Sequence, residues 1–97
     1  MDEKIKHNEK EHRFELTKNG LTAYIEYEME PGSINFTHTI VPGPLEGQGI
    51  GTALVKHALE YAKEQHLRII PSCPFVKSYM DHHKKEFETM QGEKSNA

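Results

Sequence analysis

The run Val41-Pro42-Gly43-Pro44-Leu45-Glu46-Gly47-Gln48-Gly49-Ile50-Gly51 stands where one kind of sequence gives way to another. Ahead of it, apolar residues alternate with polar ones, which is the period of half-buried strands. Behind it, Ile50, Leu54, Ala58 and Ala62 recur every fourth position, and Val55 and Leu59 widen the stripe. That is the pattern of an amphipathic helix. The run itself is rich in Gly and Pro, so it is a loop with demanding backbone geometry. A strand that passes through glycines into a helix organises everything on either side.

Toward the N-terminus, His12 to Thr17 reads as a short strand, and Lys18-Asn19-Gly20 as a hairpin turn. Leu21 to Glu30 is a second strand, with Ala23, Ile25, Tyr27 and Met29 on one face and Thr22, Tyr24, Glu26 and Glu28 on the other. After the turn pair Pro31-Gly32, Ile34 to Val41 is a third strand, with Ile34, Phe36, His38 and Ile40 sharing a face. The links are short, so these strands form an antiparallel meander. Residues 1–11 are mostly charged and are expected to fray.

Toward the C-terminus, a helix runs from Thr52 to Gln65 and a strand from Leu67 to Pro71. Strand, helix and strand in this order imply a right-handed crossover with parallel pairing. Ser72-Cys73-Pro74 opens a second helix, with Ser at the cap and Pro in the first turn. Phe75, Val76, Tyr79 and Met80 make its apolar face. From His82 onward the chain is polar apart from Phe87 and Met90, and Gly92 to Ala97 read as a disordered tail. The expected fold is α/β (α+β): a meander, then a β-α-β crossover to a parallel strand, then a helix. One domain spans residues 1–97, with its folded core over about 12–90 and flexible termini.

Composition narrows the function classes. The chain has 97 residues, 35% of them hydrophobic, and a net charge of −3. No Lys/Arg stripe marks a nucleic-acid surface. The N-terminus has no apolar stretch of the secretory kind, and no run approaches membrane-spanning length. A cytoplasmic monomer is expected, with no nucleic-acid or membrane partner. The lone Cys73 cannot form an internal disulfide and excludes a multi-Cys zinc site. His82 and His83 are adjacent and do not face one metal from a helix, so no metal site is expected.

The glycine run carries the chemistry. Glycine lets backbone approach a ligand closely. The first N–H groups of a helix have no internal partner, and the helix dipole adds positive charge there. Together they make an anion site that suits a pyrophosphate without a basic side chain. The other reading is a tight turn at a helix start. A Walker loop is excluded, because no Gly-Lys-Ser/Thr follows, and the meander does not suit a dinucleotide fingerprint.

The strings His38-Thr39, Val41-Pro42 and Gly47-Gln48-Gly49-Ile50-Gly51, with Leu54 downstream, resemble motif A of the GNAT N-acetyltransferase superfamily. The later run Ile70-Pro71-Ser72-Cys73-Pro74-Phe75-Val76-Lys77-Ser78-Tyr79-Met80 is similar to the small YjdJ-type GNAT-like proteins. The resemblance spans residues 12 to 80. It implies acetyl-CoA between two splayed parallel strands, with the pantetheine along Ile40 and Val41. The pyrophosphate would lie on the amides of Gly47, Gln48, Gly49, Ile50 and Gly51 and on the Thr52 hydroxyl. The acetyl end would point toward His38 and Cys73, and Cys73, Phe75 and Tyr79 would also belong to the cofactor-binding set. Glu46 departs from the family, which usually has Arg or Gln there.

Each candidate side chain has two readings. His38 is either a structural histidine on the Phe36 face or a general base for an acceptor amine. Cys73 is either a small buried hydrophobe or a nucleophile at a helix N-terminus that accepts the acetyl group. Tyr79 is either core or, as the resemblance to larger GNAT enzymes implies, the acid that protonates the leaving CoA thiolate. The expected activity is acetyl transfer from acetyl-CoA to an amine, small or on a protein, directly or through a Cys73 thioester. Its rivals are a non-catalytic CoA-binding module and an interaction domain in which Gly47–Gly51 is only a turn.

Overall fold

The computed structural model describes residues 4–87, and the expectations for Met90 and for the tail from Gly92 lie outside them. Five strands form one sheet in chain order: β1 (Lys6–Asn8), β2 (Arg13–Lys18), β3 (Leu21–Glu30), β4 (Ser33–Ile40) and β5 (Arg68–Pro71). The first four pair antiparallel, and β4 pairs parallel with β5. Between β4 and β5 runs helix α1 (Ile50–Glu64), and after β5 come α2 (Pro74–His82) and the single turn α3 (Lys84–Phe87). The mixed α/β architecture is the expected one, and so is the parallel closing pair.

The core follows from the two periodicities. Phe14, Leu16, Ala23, Ile25, Ile34, Phe36 and Ile69 are buried on one sheet face. Leu54, Val55, Ala58, Leu59 and Ala62 of α1 are fully buried against them, and Val76, Met80 and Phe87 complete the same cluster. The alternating strand faces and the every-fourth-residue helix stripe therefore meet in one core. Met29 keeps its face, opposite Ile34, but is 48% exposed; it lies beyond the end of β2, whose pairing starts at Arg13 opposite Glu26.

Two expectations are corrected. The first concerns residues 1–11, where the structure has the extra strand β1, with His7 opposite Phe14. His7 stacks on Phe14 with ring centroids 4.2 Å apart and lies 2.6 Å from the Tyr27 hydroxyl. It also meets Tyr61 edge-on. A histidine counts as polar in a hydropathy pattern, yet its ring packs as an aromatic here. The second concerns the face shared by Ile34, Phe36, His38 and Ile40. Glu26 is opposite His38 but Tyr27 is opposite Phe36, so Thr37 is an extra residue in β4. The Thr37 hydroxyl donates to Glu26 O at 3.3 Å across this bulge. A bulge of one residue exchanges the two faces beyond it. His38 and Ile40 therefore turn away from the core, and Thr39, opposite Ile25, takes the inner side.

Helix α1 begins at Ile50, two residues earlier than expected, because Gly49 in the left-handed conformation (φ 77°) is its N-cap. It ends in a Schellman arrangement: His66 N donates to Lys63 O and Leu67 N to Ala62 O. The residue that must adopt the left-handed conformation there is His66 (φ 57°), not glycine. Replacing His66 by Gly removes that strain, of about 1–2 kcal/mol, at a smaller cost in unfolded-state entropy. His66→Gly is thus expected to raise unfolding stability by up to about 1 kcal/mol in urea titrations.

Burial pushes the ionisation of His7 down, with His57 adding to the effect and Glu9 opposing it. The folded value thus lies below the unfolded value of 6.5, and the unfolded chain takes up the proton first. Stability from a neutral His7 is present above that pH and is lost as pH falls through the folded value. Urea midpoints at neutral and mildly acidic pH are expected to diverge less in His7→Phe than in the wild type.

Candidate functional site

The site begins where the parallel strands part. Pairing of β4 with β5 covers only Ser33 opposite Arg68 through Phe36 opposite Pro71. Past Pro71 the two segments are tied by the bond from Cys73 N to Phe36 O at 2.9 Å, while Ser72 N turns back to Ile70 O. Strand β4 continues to Ile40, so among the described residues no strand lies beside its last residues on this edge. Backbone groups there are left for water or for an extended ligand that pairs as a strand does.

At the end of β4 the chain makes a 3-10 turn, Gly43–Leu45, anchored by the buried Leu45. Gly47 (φ 83°) and Gly49 (φ 77°) then bring the backbone into α1. A Cβ on either would meet nothing within 4 Å, so conformation and not space calls for glycine at both. The bond from Ala53 N to Gly49 O closes the first turn of α1. The amides of Ile50, Gly51 and Thr52 precede it and have no intrahelical partner. The Gln48 side chain is engaged elsewhere: its Oε1 accepts from Lys18 Nζ at 2.7 Å, and its Nε2 donates to Pro44 O. The Gln48 side chain is thus turned to Lys18 and Pro44, and it is absent from the lining of the adjoining hollows.

Two adjoining hollows of about 380 and 310 Å³ open here and share Val41, Glu46, Gly51 and Phe75. The first extends to Thr39 and Ile40, and the second to Gly47, Gly49, Ile50 and Thr52. Most of the residues singled out as cofactor-binding thus gather on one cleft. Phe75 departs from its expected place on the buried face of α2. It is 42% exposed, and its ring lies so close to Gly51 that an added Cβ would come within 3.2 Å of it. Gly51 makes room for this ring between the ends of β4 and α1.

Cys73 is the N-cap of α2 and is 4% exposed. Its Sγ lies 3.4 Å from Thr39 Oγ1. Thr39 in turn lines the larger hollow, so it stands between the thiol and the cleft. Thr39 was missed by sequence reasoning, because only the bulge at Thr37 aims it inward. His38 is correspondingly not beside the thiol. Its side chain is 66% exposed on the other sheet face, with Nδ1 3.3 Å from Glu26 Oε1. Tyr79 is not brought to the cleft either: its ring stacks on His83 at 4.1 Å and neighbours Phe87. Burial raises the ionisation of its hydroxyl, with Glu86 and Glu60 adding to this. Glu46 is exposed and lines both hollows, beside the free amides. Among the described residues no group of three His, Cys, Asp or Glu is placed to hold a metal. No helix there is long and apolar enough to cross a membrane.

The two glycines separate two requirements. Gly49→Ala forces a left-handed alanine and is expected to cost about 1–2 kcal/mol of stability. Gly51→Ala lies inside a helix, where alanine is favoured by about 1 kcal/mol. Its expected outcome is unchanged or higher stability, with the Phe75 ring displaced. Denaturant titration and the Phe75 ring resonances distinguish the two.

Comparison with known proteins agrees with this geometry. Residues 13–90 match the family model described as GCN5-related N-acetyl-transferase. The chain is 28% identical over 80 residues to Protein NATD1 of Xenopus tropicalis, covering 79% of this chain and 73% of the frog protein. It is also similar to the NMR solution structure of a GCN5-like protein from Staphylococcus aureus, with 34% identity and a TM-score of 0.67. That match covers 92% of this chain and 87% of the other. The chain, with its splayed parallel strands and its glycine turn at the head of α1, belongs to the GCN5-related N-acetyltransferase family.

Proposed function

We propose that this protein transfers an acetyl group from acetyl-CoA to an amine, with Cys73 as the group that first accepts it. Members of the family generally use acetyl-CoA as co-substrate, which supplies an activated acetyl thioester. The residues present fit that molecule. The free amides at the head of α1 suit its pyrophosphate, with the Thr52 hydroxyl beside them. The unpaired edge of β4 at Ile40 and Val41 suits the amide-bearing pantetheine arm, and Phe75 offers an apolar wall.

The observation that carries the reading is the thiol of Cys73, set one side chain behind the cleft at the N-terminus of α2. The thiolate is the nucleophilic form of a cysteine. In the first half-reaction a bond forms between Sγ and the acetyl carbon while the carbon–sulfur bond to CoA breaks. CoA leaves as a thiolate and takes up a proton. In the second, a neutral amine attacks the Cys73 thioester, the thiolate is regenerated and the amine loses a proton. A direct transfer with His38 as base places the amine on the other sheet face, where His38 pairs with Glu26. The contact of Thr39 with Cys73 favours the thioester route. Only a tight turn at Asn19 and Gly20 joins β2 and β3, so no helix walls off the site at that link. An exposed lysine on a protein or a small amine suits so open a site.

A second reading is a CoA-binding module without chemistry. Two observations favour it: the thiol is nearly inaccessible, and the Glu46 carboxylate lines the anion end of the cleft. The expected result on incubation with acetyl-CoA is an acetyl group on Cys73, found by peptide mass spectrometry, with amine turnover abolished in Cys73→Ala. An unmodified thiol with full turnover in Cys73→Ala would sink the covalent route. Binding without turnover of any amine tested would establish the module instead.

A further inference from the structure

Cys73 begins α2, yet the helix gives its thiol no hydrogen-bond donor. Pro74 occupies the first helical position and has no N–H. The side chain of Cys73 makes no capping hydrogen bond to the amides that follow. Its own amide is spent on Phe36 O and its carbonyl on Lys77 N. The helix thus supplies a field at the sulfur but no direct contact. Among the described residues, the polar atom within hydrogen-bond distance of Sγ is Thr39 Oγ1, at 3.4 Å.

We infer that Thr39 is the positioning residue for Cys73, donating its hydroxyl proton to the sulfur as the thiolate forms and holding it toward the cleft. This rests on the proposed role of Cys73 as nucleophile. While the thiol is neutral, either group can be the donor. Once it is ionised, the sulfur has no proton, and Thr39 alone can donate. A hydrogen bond to a charged acceptor is stronger than its neutral counterpart, so the contact is strongest once the sulfur carries the charge. Thr39 is also the side chain through which the sulfur meets the larger hollow. Its orientation depends on the bulge at Thr37, which aims residue 39 inward in place of residue 38. The bulge thereby has a role that packing alone does not require.

The test uses shape against chemistry. Thr39→Val keeps the branched outline and removes the hydroxyl, whereas Thr39→Ser keeps the hydroxyl and removes the methyl group. The chain has one cysteine, so iodoacetamide labelling of the whole protein reports on Cys73 alone. We expect Thr39→Val to slow labelling about five-fold or more at mildly alkaline pH. Thr39→Ser should stay within about two-fold of the wild type. Native amide spectra for both variants, recorded alongside, show that each is folded. Labelling of Thr39→Val at the wild-type rate overturns the inference. So does equal slowing in both variants, because that assigns the effect to packing. Labelling does not involve acetyl transfer, so its outcome stands apart from that of the Cys73 thioester test. With an acceptor amine in hand, a fall in kcat for Thr39→Val with KM for acetyl-CoA unchanged supports the same role. A rise in KM alone argues against it.

Discussion

One unmatched residue in β4 decides which side chains this fold presents beside its cleft. Thr37 has no partner opposite it on β3, and every side chain after it changes face. Before the bulge, Ile34 and Phe36 belong to the core; after it, Thr39 looks inward to Cys73 while His38 looks outward to Glu26. The same stretch of strand also loses its neighbour on the other edge, since β5 stops pairing at Pro71. A bulge and a parting of strands within a few residues convert a sheet into a site. The sheet is continuous on the β3 side and open on the β5 side, so the open edge is held in place by a rigid one.

The cleft that results is assembled from three chain ends. The end of β4 brings Thr39, Ile40 and Val41, the head of α1 brings the glycine turn, and the head of α2 brings Cys73 and Phe75. The head of α1 brings amides without an intrahelical partner to the cleft, and among the described residues no lysine or arginine lines it. Amides of that kind suit an anion even in a chain of net charge −3. Glu46 works against it, and the free amides gathered at the turn offset one carboxylate that is free to lie in solvent.

A chain of this size has little core to spare, and the structure draws on residues that look polar in sequence. His7 binds the first strand to Phe14, Tyr27 and Tyr61. Burial pushes the Tyr27 hydroxyl up to about 12, so it stays protonated and available to that contact. At the other end of the sheet, α1 is closed by a histidine in a conformation that favours glycine. These small inconsistencies are local, and the long stripe of α1 outweighs them. Each large side chain buried there contributes about 1.5–3 kcal/mol.

Much was legible in the sequence because it depends on neighbours along the chain. Alternation in residues 12–41, the Asn19-Gly20 turn, the four-residue repeat of α1 and the glycines before it are all local patterns, and each predicts its element. The cleft-lining residues from Ile40 to Thr52 were legible for the same reason: a strand, a glycine turn and a helix head are continuous in sequence. Other features were decided only by tertiary structure. The bulge at Thr37 has no glycine or proline to mark it; it arises from how β4 pairs with β3, and it moves His38 out and Thr39 in. Strand β1 exists because His7 finds an aromatic surface made by β2, β3 and α1. The meeting of Thr39 with Cys73 joins residues 34 positions apart. Local sequence sets what a segment can be, whereas pairing register sets which side chain a segment presents, because one residue of slip reverses every face.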